Sequence, residues 1–207
     1  MSLPNFDFET GLIKKGYKVI AGVDEVGRGC IAGPVTAAAV ILDPQNIPTG
    51  LNDSKKLSLK NREKLFHAIE NTCIFCVAHS SVKEIDQINI LQASLLSMKR
   101  AIEGLRTKPD FVLIDGNKSP ENLESRAETI IKGDSKSFSI AAASIVAKIT
   151  RDRIMLRLDK EFPGYDWSQN VGYPTKFHKS AILNIGLTPY HRRSFKPVHN
   201  ILYQENI

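Results

Sequence analysis

The sequence is short of cysteine, of long apolar runs and, over its last forty residues, of negative charge. Three cysteines in 207 residues are too few for a disulfide framework. Cys73 and Cys76 have the C-x-x-C spacing of redox or zinc sites, but they fall in Thr72 to His79, which reads as a strand. Residues three apart in a strand face opposite sides, and no second pair completes a zinc site, so these are core thiols. No apolar run approaches the roughly 20 residues that a membrane helix needs. Met1 to Thr10 holds acids and a proline instead of a basic-then-apolar signal, so the expectation is a cytoplasmic protein with no membrane partner. A Walker loop is absent, Gly27-Arg28-Gly29 is too short for a dinucleotide fingerprint, and no serine or cysteine nucleophile has an oriented base. There is no internal repeat and no low-complexity tract. Between Asp166 and Glu205 no acidic residue occurs, while Lys176, Lys179, Arg192, Arg193 and Lys196 fall there with His178, His191 and His199. Such a basic stretch is the footprint of a polyanion-binding face or, more simply, of solvated lysines on a terminal helix.

What is present is ordinary in bulk. With 42% hydrophobic and 24% charged residues and a net charge of +6, the chain fits one globular domain with a small appendage. The stretch around which the rest is organised runs from Tyr17 to Leu42. Lys18 to Val23 reads as a central strand that ends at the adjacent carboxylates Asp24 and Glu25. Negative charge at such a place is costly unless something cationic sits there. Gly27 and Gly29 free the following turn to bring backbone N–H groups near a ligand, with Arg28 between them. Gly33-Pro34 closes the turn, and Val35 to Leu42 is a second apolar strand returning as a hairpin.

Downstream, Leu51 to Lys56 is a polar loop before a helix capped by Ser58. Asp53-Ser54-Lys55 there offers a hydroxyl and an ammonium to a phosphate, or only a cap and a linker. A helical pattern runs from about Ile88 to Leu105 with Leu91, Leu95, Met98 and Ile102 on its apolar side, and it exits at Gly104 and Pro109. Phe111 to Ile114 is a short, wholly apolar strand that runs into Asp115-Gly116. It repeats the first site's design of central strand, carboxylate and glycine, and ligands gather at the carboxyl ends of strands in sheets with helical crossovers. Glu128 to Lys132 reads as another strand, followed by Gly133-Asp134. The helix from Lys136 to Phe162 carries Ala141, Ala142, Ala143, Ser144 and Ala147, small enough to sit close to a sheet, with Lys148, Arg151 and Arg153 on its polar side. Asp134, before this helix, is either a further site acid or a cap, and Asp152 competes with it between two arginines. The last forty-odd residues read as loop, helix, loop and short helix. Thr175 caps an apolar stripe of Phe177, Ala181, Ile182 and Ile185, and helix restarts near Tyr190 to Arg193.

Hard oxygen ligands suit Mg²⁺ or Mn²⁺, and three or four carboxylates can hold two such ions about 3.5–4 Å apart. Acids, a basic stretch and no protein nucleophile together point to metal-assisted phosphodiester hydrolysis.

Six motifs then resemble one family in order: Asp24-Glu25-Val26-Gly27-Arg28-Gly29, Asp53-Ser54-Lys55-Lys56, Ile114-Asp115-Gly116, Lys132-Gly133-Asp134 with Ala141 to Lys148, Gly172-Tyr173-Pro174-Thr175, and His191-Arg192-Arg193-Ser194-Phe195. Over nearly its whole length the chain resembles bacterial ribonuclease HII. The resemblance implies an α/β, ribonuclease H-like fold: a mixed five-stranded sheet flanked by helices, in residues 1–163, with a C-terminal helical extension, 164–207, packed on the active-site side. It implies cleavage of RNA in RNA–DNA hybrids and nicking 5′ of single ribonucleotides in duplex DNA, leaving 3′-hydroxyl and 5′-phosphate ends. Asp24, Glu25, Asp115 and Asp134 match that family's metal-binding carboxylates, which selects Asp134 over Asp152. Gly27, Arg28 and Gly29 match the loop that reads the ribose 2′-hydroxyl, the group that separates RNA from DNA. Tyr173 matches the tyrosine stacking on the next deoxynucleotide sugar. Ser54 and Lys55 match phosphate contacts, and Lys148 and Arg192 are further candidates. Two residues depart from the pattern: Cys30 where proline is common, and Val171 where lysine is frequent. The implied cofactor is a pair of Mg²⁺ or Mn²⁺ ions, the implied partners are RNA–DNA hybrid and ribonucleotide-containing duplex DNA, and a monomer is expected, with no clamp partner readable. The residues by themselves leave open a resolvase- or integrase-like nuclease, a non-catalytic hybrid-binding module, and a phosphate-transferring enzyme on small metabolites.

Overall fold

The computed structural model describes residues 3–203. Its elements are α1 (Asp7–Lys14), β1 (Ile20–Val26), β2 (Val35–Ile41), α2 (Leu59–Thr72), β3 (Ile74–Ser80), α3 (Val82–Glu103), β4 (Phe111–Asp115), β5 (Arg126–Ile130), α4 (Phe138–Glu161), α5 (Trp167–Asn170), α6 (Lys176–Ile185) and α7 (Lys196–Leu202). The five strands form one mixed sheet in the order β3-β2-β1-β4-β5. β1, β2 and β3 are antiparallel neighbours, and β4 and β5 are parallel to β1. This is the mixed five-stranded, helix-flanked sheet expected above.

Strand alternation divides the sheet into two buried faces. Ala38 and Val40 pack with α2 and α4 on one side. Ala37, Ala39, Ala21, Val23, Val112 and Ile114 pack with Met98, Ala101 and Ile102 of α3 on the other. Leu113 and Phe111 return to the α4 side, with Ile140 and, from α1, Leu12. Because both faces are covered, β2 reads as a continuous apolar run without visible alternation. α4 lies centrally, and its first two turns, Ser139 to Ala147, are buried. Gly22 makes that approach possible, since a Cβ there would overlap the backbone of Ser139 and Ile140.

Several sequence expectations shift. β1 does not end at the acids but continues through Val26, so Asp24 and Glu25 lie within the ladder. Cys73 caps α2 and Cys76 alone of the pair is in β3, so the expected strand starts two residues later; the two thiols still pack into opposite cores. α3 begins earlier than the periodicity indicated, because Ser81 forms a capping box with Glu84. A break at Asn89 (φ 67°) then divides it, and the Asn89 side chain accepts from Leu91 and Gln92 N–H. The expected helix near Tyr190 to Arg193 does not form. His191 instead makes an antiparallel bridge to Ala32, and Arg192 N–H donates to Ile31 O at 2.8 Å. On α6, Ala181 and Ile182 are buried, but Phe177 and Ile185 are exposed, so the inward stripe is half as wide as expected. α5, a four-residue helix from Trp167, lies where the sequence reads as loop. Residues 165–198 share a core with Ile31, Ala32, Met155 and Leu158, built around Trp167.

The contact at Gly22 has a measurable consequence. Gly22→Ala forces backbone apart at the sheet–α4 seam and should cost about 3–5 kcal/mol, in the range of the largest single-site effects. Gly11→Ala, a change in α1 facing open space, should be neutral or stabilising by up to about 1 kcal/mol. Thermal denaturation of the two variants beside the parent checks both.

Candidate active site

β1 and β4 are adjacent and parallel, paired through Val23 and Ile114. One residue on, each strand carries an aspartate: Asp24 and Asp115. Alternation puts Asp24 on the face of Gly22, and Asp115 on the face of Leu113, which in both cases is the α4 side. The turn Gly133–Ser135 enters α4 from that side and supplies Asp134. The three carboxylates converge, each offering an oxygen within 4.8 Å of the others. Asp24 and Asp134 are buried, at 7% and 8% exposure. Asp115 Oδ1 accepts from Gly133 N–H at 2.6 Å, which ties the strand acid to the turn carrying Asp134.

Glu25 lies outside this trio. It follows Asp24 on the strand and its Oε1 accepts from Arg28 Nη1 at 3.1 Å, but it stays near enough for its charge to act on Asp24 and to feel that of Asp115. Arg28 is thus engaged by a site acid, yet half of its side chain remains in solvent. Gly27 turns at φ 96° and lies against the Arg151 guanidinium, where a Cβ would overlap Arg151 Nε. A Cβ at exposed Gly29 would stand 3.5 Å from the Tyr173 ring. Tyr173, 44% exposed, therefore flanks the glycine turn that follows Asp24 and Glu25.

The remaining expected residues divide. Lys55 is exposed, and the fields of Asp24, Asp53, Asp134 and Asp115 reach it. Although burial lowers its pKa, those acids outweigh it and the ammonium titrates above its usual range. Ser54 is buried, its N–H on Ser144 Oγ and its carbonyl taken by Arg62. Lys148 pairs with Asp152 at 2.8 Å, so Asp152 does form an ion pair, but one turn back along α4 and not with its neighbouring arginines. Arg192 is corrected: it is fully buried and donates to Gly33 O and Arg28 O, so it braces the loop from within and does not face a phosphate. His178 and His191 are buried as well, Nε2 to Nε2 at 3.1 Å. The exposed basic groups of the C-terminal stretch therefore include Lys176, Lys179, Arg193 and Lys196.

One residue passed over as polar surface belongs here. Arg151 is fully buried and donates to Pro34, Val171 and Ala32 carbonyls at 2.8–3.0 Å. With Arg192 it holds the loop from Arg28 to Pro34 by its carbonyls. The signal was available: Arg151 follows Ala143 and Ala147 at four-residue steps and precedes Met155, all buried, so it stands in the inward row of α4. Val171, which accepts one of those bonds, sits at φ 43°, an unfavourable region for a β-branched residue.

The electrostatics are those of crowded negative charge. Burial, and then Glu25, Asp115 and Asp134, hold the Asp24 carboxyl well above its ordinary pKa. Burial likewise raises Glu25, against the pull of Arg28, and raises Asp134 with help from Asp115 and Asp53, against Lys55. Three carboxylates with nearby backbone donors are a hard, oxygen-only set, which fits Mg²⁺ or Mn²⁺.

Solved structures of similar fold define the class. Ribonuclease H2 from Pyrococcus horikoshii superimposes with a TM-score of 0.75 at 28% identity, over 91% of this chain and all of that one. The RNase HII of Archaeoglobus fulgidus, solved in complex with PCNA, gives 0.72 at 28% identity over 86% and 96%. The fold is thus that of the ribonuclease H nucleases. Residues 21–198 match the model of the ribonuclease HII family. The ribonuclease HII of Ruegeria pomeroyi is 57% identical over 99% of this chain and 88% of that protein. The chain belongs to the ribonuclease HII family. It is an endonuclease of the ribonuclease H type that acts on RNA–DNA hybrids with a divalent metal. No helix among the described residues is long and apolar enough to cross a membrane.

Raised carboxylate pKa values mean that the folded, metal-free protein holds protons which the unfolded chain releases. That contribution is fully present below about pH 4, the ordinary carboxylate range, and is lost as pH rises through the raised values. Asp24→Asn removes the most perturbed charge. In metal-free buffer its melting temperature should equal or exceed the parent's, with the gap widening from pH 4 to pH 8 by about 2–4 °C for each kcal/mol relieved. Calorimetric melting across that range with chelator present is the check.

Proposed function

We propose that this enzyme recognises a ribose followed by DNA, and hydrolyses the phosphodiester on the 5′ side of single ribonucleotides in duplex DNA as well as in longer hybrids. The observation that carries this reading is the convergence of Asp24, Asp115 and Asp134, with the Gly27–Gly29 turn and Tyr173 along one edge. In it, Asp24, Asp115 and Asp134, joined by Glu25, hold two Mg²⁺ or Mn²⁺ ions. When bound, such a pair would activate water on one side of the phosphate and neutralise the departing 3′-oxygen on the other.

The chain's own residues set which bond is presented. Gly27 and Gly29 let backbone approach the sugar, and Arg28, held over Glu25, is placed to meet the 2′-hydroxyl. Arg151 and Arg192 keep that loop's carbonyls turned inward, leaving its other edge for the substrate. Tyr173 offers its ring to the following deoxyribose, where a 2′-hydroxyl would crowd it, so the pair reads a ribose and then a deoxyribose, both on the 3′ side of the phosphate that is cut. Lys55, and Lys148 if it leaves Asp152, supply charge to flanking phosphates; Ser54 contributes through its backbone position, its side chain being covered. Residues 164–207 act as an extension that carries Tyr173 and the basic surface of Lys176, Lys179 and Lys196 along the duplex. A monomer with a cytoplasmic location suits this role.

A labelled DNA duplex with one internal ribonucleotide, incubated with Mg²⁺ or Mn²⁺, should give one nick 5′ of the ribonucleotide with 3′-hydroxyl and 5′-phosphate ends, and the all-DNA duplex should stay intact. Asp115→Asn should lower cleavage by about 10³-fold or more, the equivalent of several kcal/mol of lost charge stabilisation, with hybrid binding changed only a few-fold. Tyr173→Ala should cost about tenfold on the single-ribonucleotide duplex, in the range of a lost stacking contact, and less on a long hybrid. Sequencing gels under single-turnover conditions measure all three, and unimpaired cleavage by Asp115→Asn would remove it from the site.

A further inference from the structure

Outside residues 21–198, the span that the family model matches, α1 places a carboxylate in the interior. Glu9 is 1% exposed, and its Oε1 accepts from Ser137 Oγ–H at 2.6 Å and from Ser139 N–H at 2.9 Å. A buried carboxylate persists only where donors meet it, and here the donors are the N-terminal groups of α4. Ser137 is the N-cap of that helix, its own Oγ accepting from Ile140 N–H at 3.2 Å. Two further bonds fasten the same segments: Asn5 N–H to Lys136 O at 3.1 Å and Phe138 N–H to Asn5 O at 2.9 Å.

What these contacts grip is the base of the turn carrying Asp134. Lys136 and Ser137 N–H both donate to Gly133 O, at 2.9 and 2.8 Å, and Gly133 N–H is the 2.6 Å donor to Asp115. Lys132, just before the turn, sits at φ 57°, a conformation that a lysine does not choose by itself. The turn therefore takes its shape from what holds its two ends, which are Asp115 on one side and residues 5–9 on the other.

We infer that Glu9 is a positioning residue for the divalent-cation site: by accepting from Ser137 and Ser139 it sets the turn that aims Asp134 and supplies the hydrogen bond orienting Asp115. This rests on the reading of Asp115 and Asp134 as ligands. Partners of metal ligands typically govern affinity by 10–100-fold, so the effect belongs in metal binding and not in binding of nucleic acid. The role requires an acceptor at Oε1; the second oxygen is buried with no partner, so glutamine retains what matters.

The test is calorimetric titration of Mn²⁺ into the full chain without substrate, paired with hybrid cleavage over a range of Mn²⁺ concentrations. Glu9→Ala should raise the half-saturating Mn²⁺ by about tenfold or more in both measurements, with the KM for hybrid at saturating Mn²⁺ within about twofold. Glu9→Gln should stay within about threefold of the parent. Leu12→Ala removes a buried side chain of the same helix and controls for loosening of α1; it should lower the melting temperature without moving the Mn²⁺ midpoint. If Glu9→Ala does not fold, Glu9→Asp, one methylene too short to meet both donors, takes its place. An unchanged midpoint in Glu9→Ala or its substitute, an equal shift in Leu12→Ala, or a tenfold shift in Glu9→Gln overturns the inference. Asp115→Asn is titrated alongside: undiminished Mn²⁺ binding there would instead overturn the ligand reading beneath it.

Discussion

Mutual repulsion of carboxylates carried side by side on neighbouring strands is the constraint around which the molecule is built. Asp24 and Asp115 are brought together because β1 and β4 run parallel in register, and because alternation turns both toward α4. Asp134 is added at the helix's entry. Burial makes each charge costlier, as the raised pKa values of Asp24 and Asp134 express. A hydrophobic framework of two cores and a closely docked α4 bears that cost, and a hard cation would remove it. An acidic cluster that opposes folding and favours metal binding is a familiar exchange of stability for function.

The neighbouring loop is held by the opposite charge. Arg151 and Arg192 are both fully buried, and among the described residues neither forms a carboxylate ion pair. Their donors go to main-chain carbonyls of residues 28–34 and 171. Four directed bonds to its carbonyls, with a fifth to Val171, fix the glycine-rich loop alongside the packing of buried Cys30, Ile31 and Ala32. Such rigidity would serve the proposed reading of a sugar hydroxyl, which requires groups already in place.

The C-terminal segment depends on the same loop. Ile31 N–H donates to Gly172 O, Gly33 N–H to Tyr190 O, and Arg192 N–H to Ile31 O, so residues 31–33 are backbone-paired to two separate turns of the extension. Within it, His178 is fixed between Tyr173 O and Trp167 Nε1, and His191 bonds to Thr188. Thr188 N–H can only donate, so His191 Nδ1 is an acceptor and its Nε2 carries the proton. Trp167 likewise requires an accepting Nε2 on His178. Both rings are then neutral, and these histidines, which read as basic charge along the chain, contribute none to the surface.

By itself the sequence determined the elements whose signals are local. Apolar runs marked β1, β2 and β4, small residues marked α4, Ser58 and Thr175 marked their helices' starts, and carboxylate-then-glycine marked Asp115 as a strand-end acid, whereas Asp24, read the same way, lies inside β1. The ordered motifs selected Asp134, which spacing alone scarcely separated from Asp152. Only the tertiary structure decided which charges are spent internally: Arg151 and Arg192 on loop carbonyls, His178 and His191 on each other, Lys148 on Asp152, and Glu9 on the entry to α4. Only it separated Glu25 from the converging trio and turned Tyr190 to Arg193 from helix into a bridge to Ala32. The reason is that a residue type states what bonds a side chain can make, whereas burial and the partner across the fold state which of them it does make; for Glu9, Arg192 and two of the three bonds of Arg151 that partner lies more than a hundred residues away along the chain.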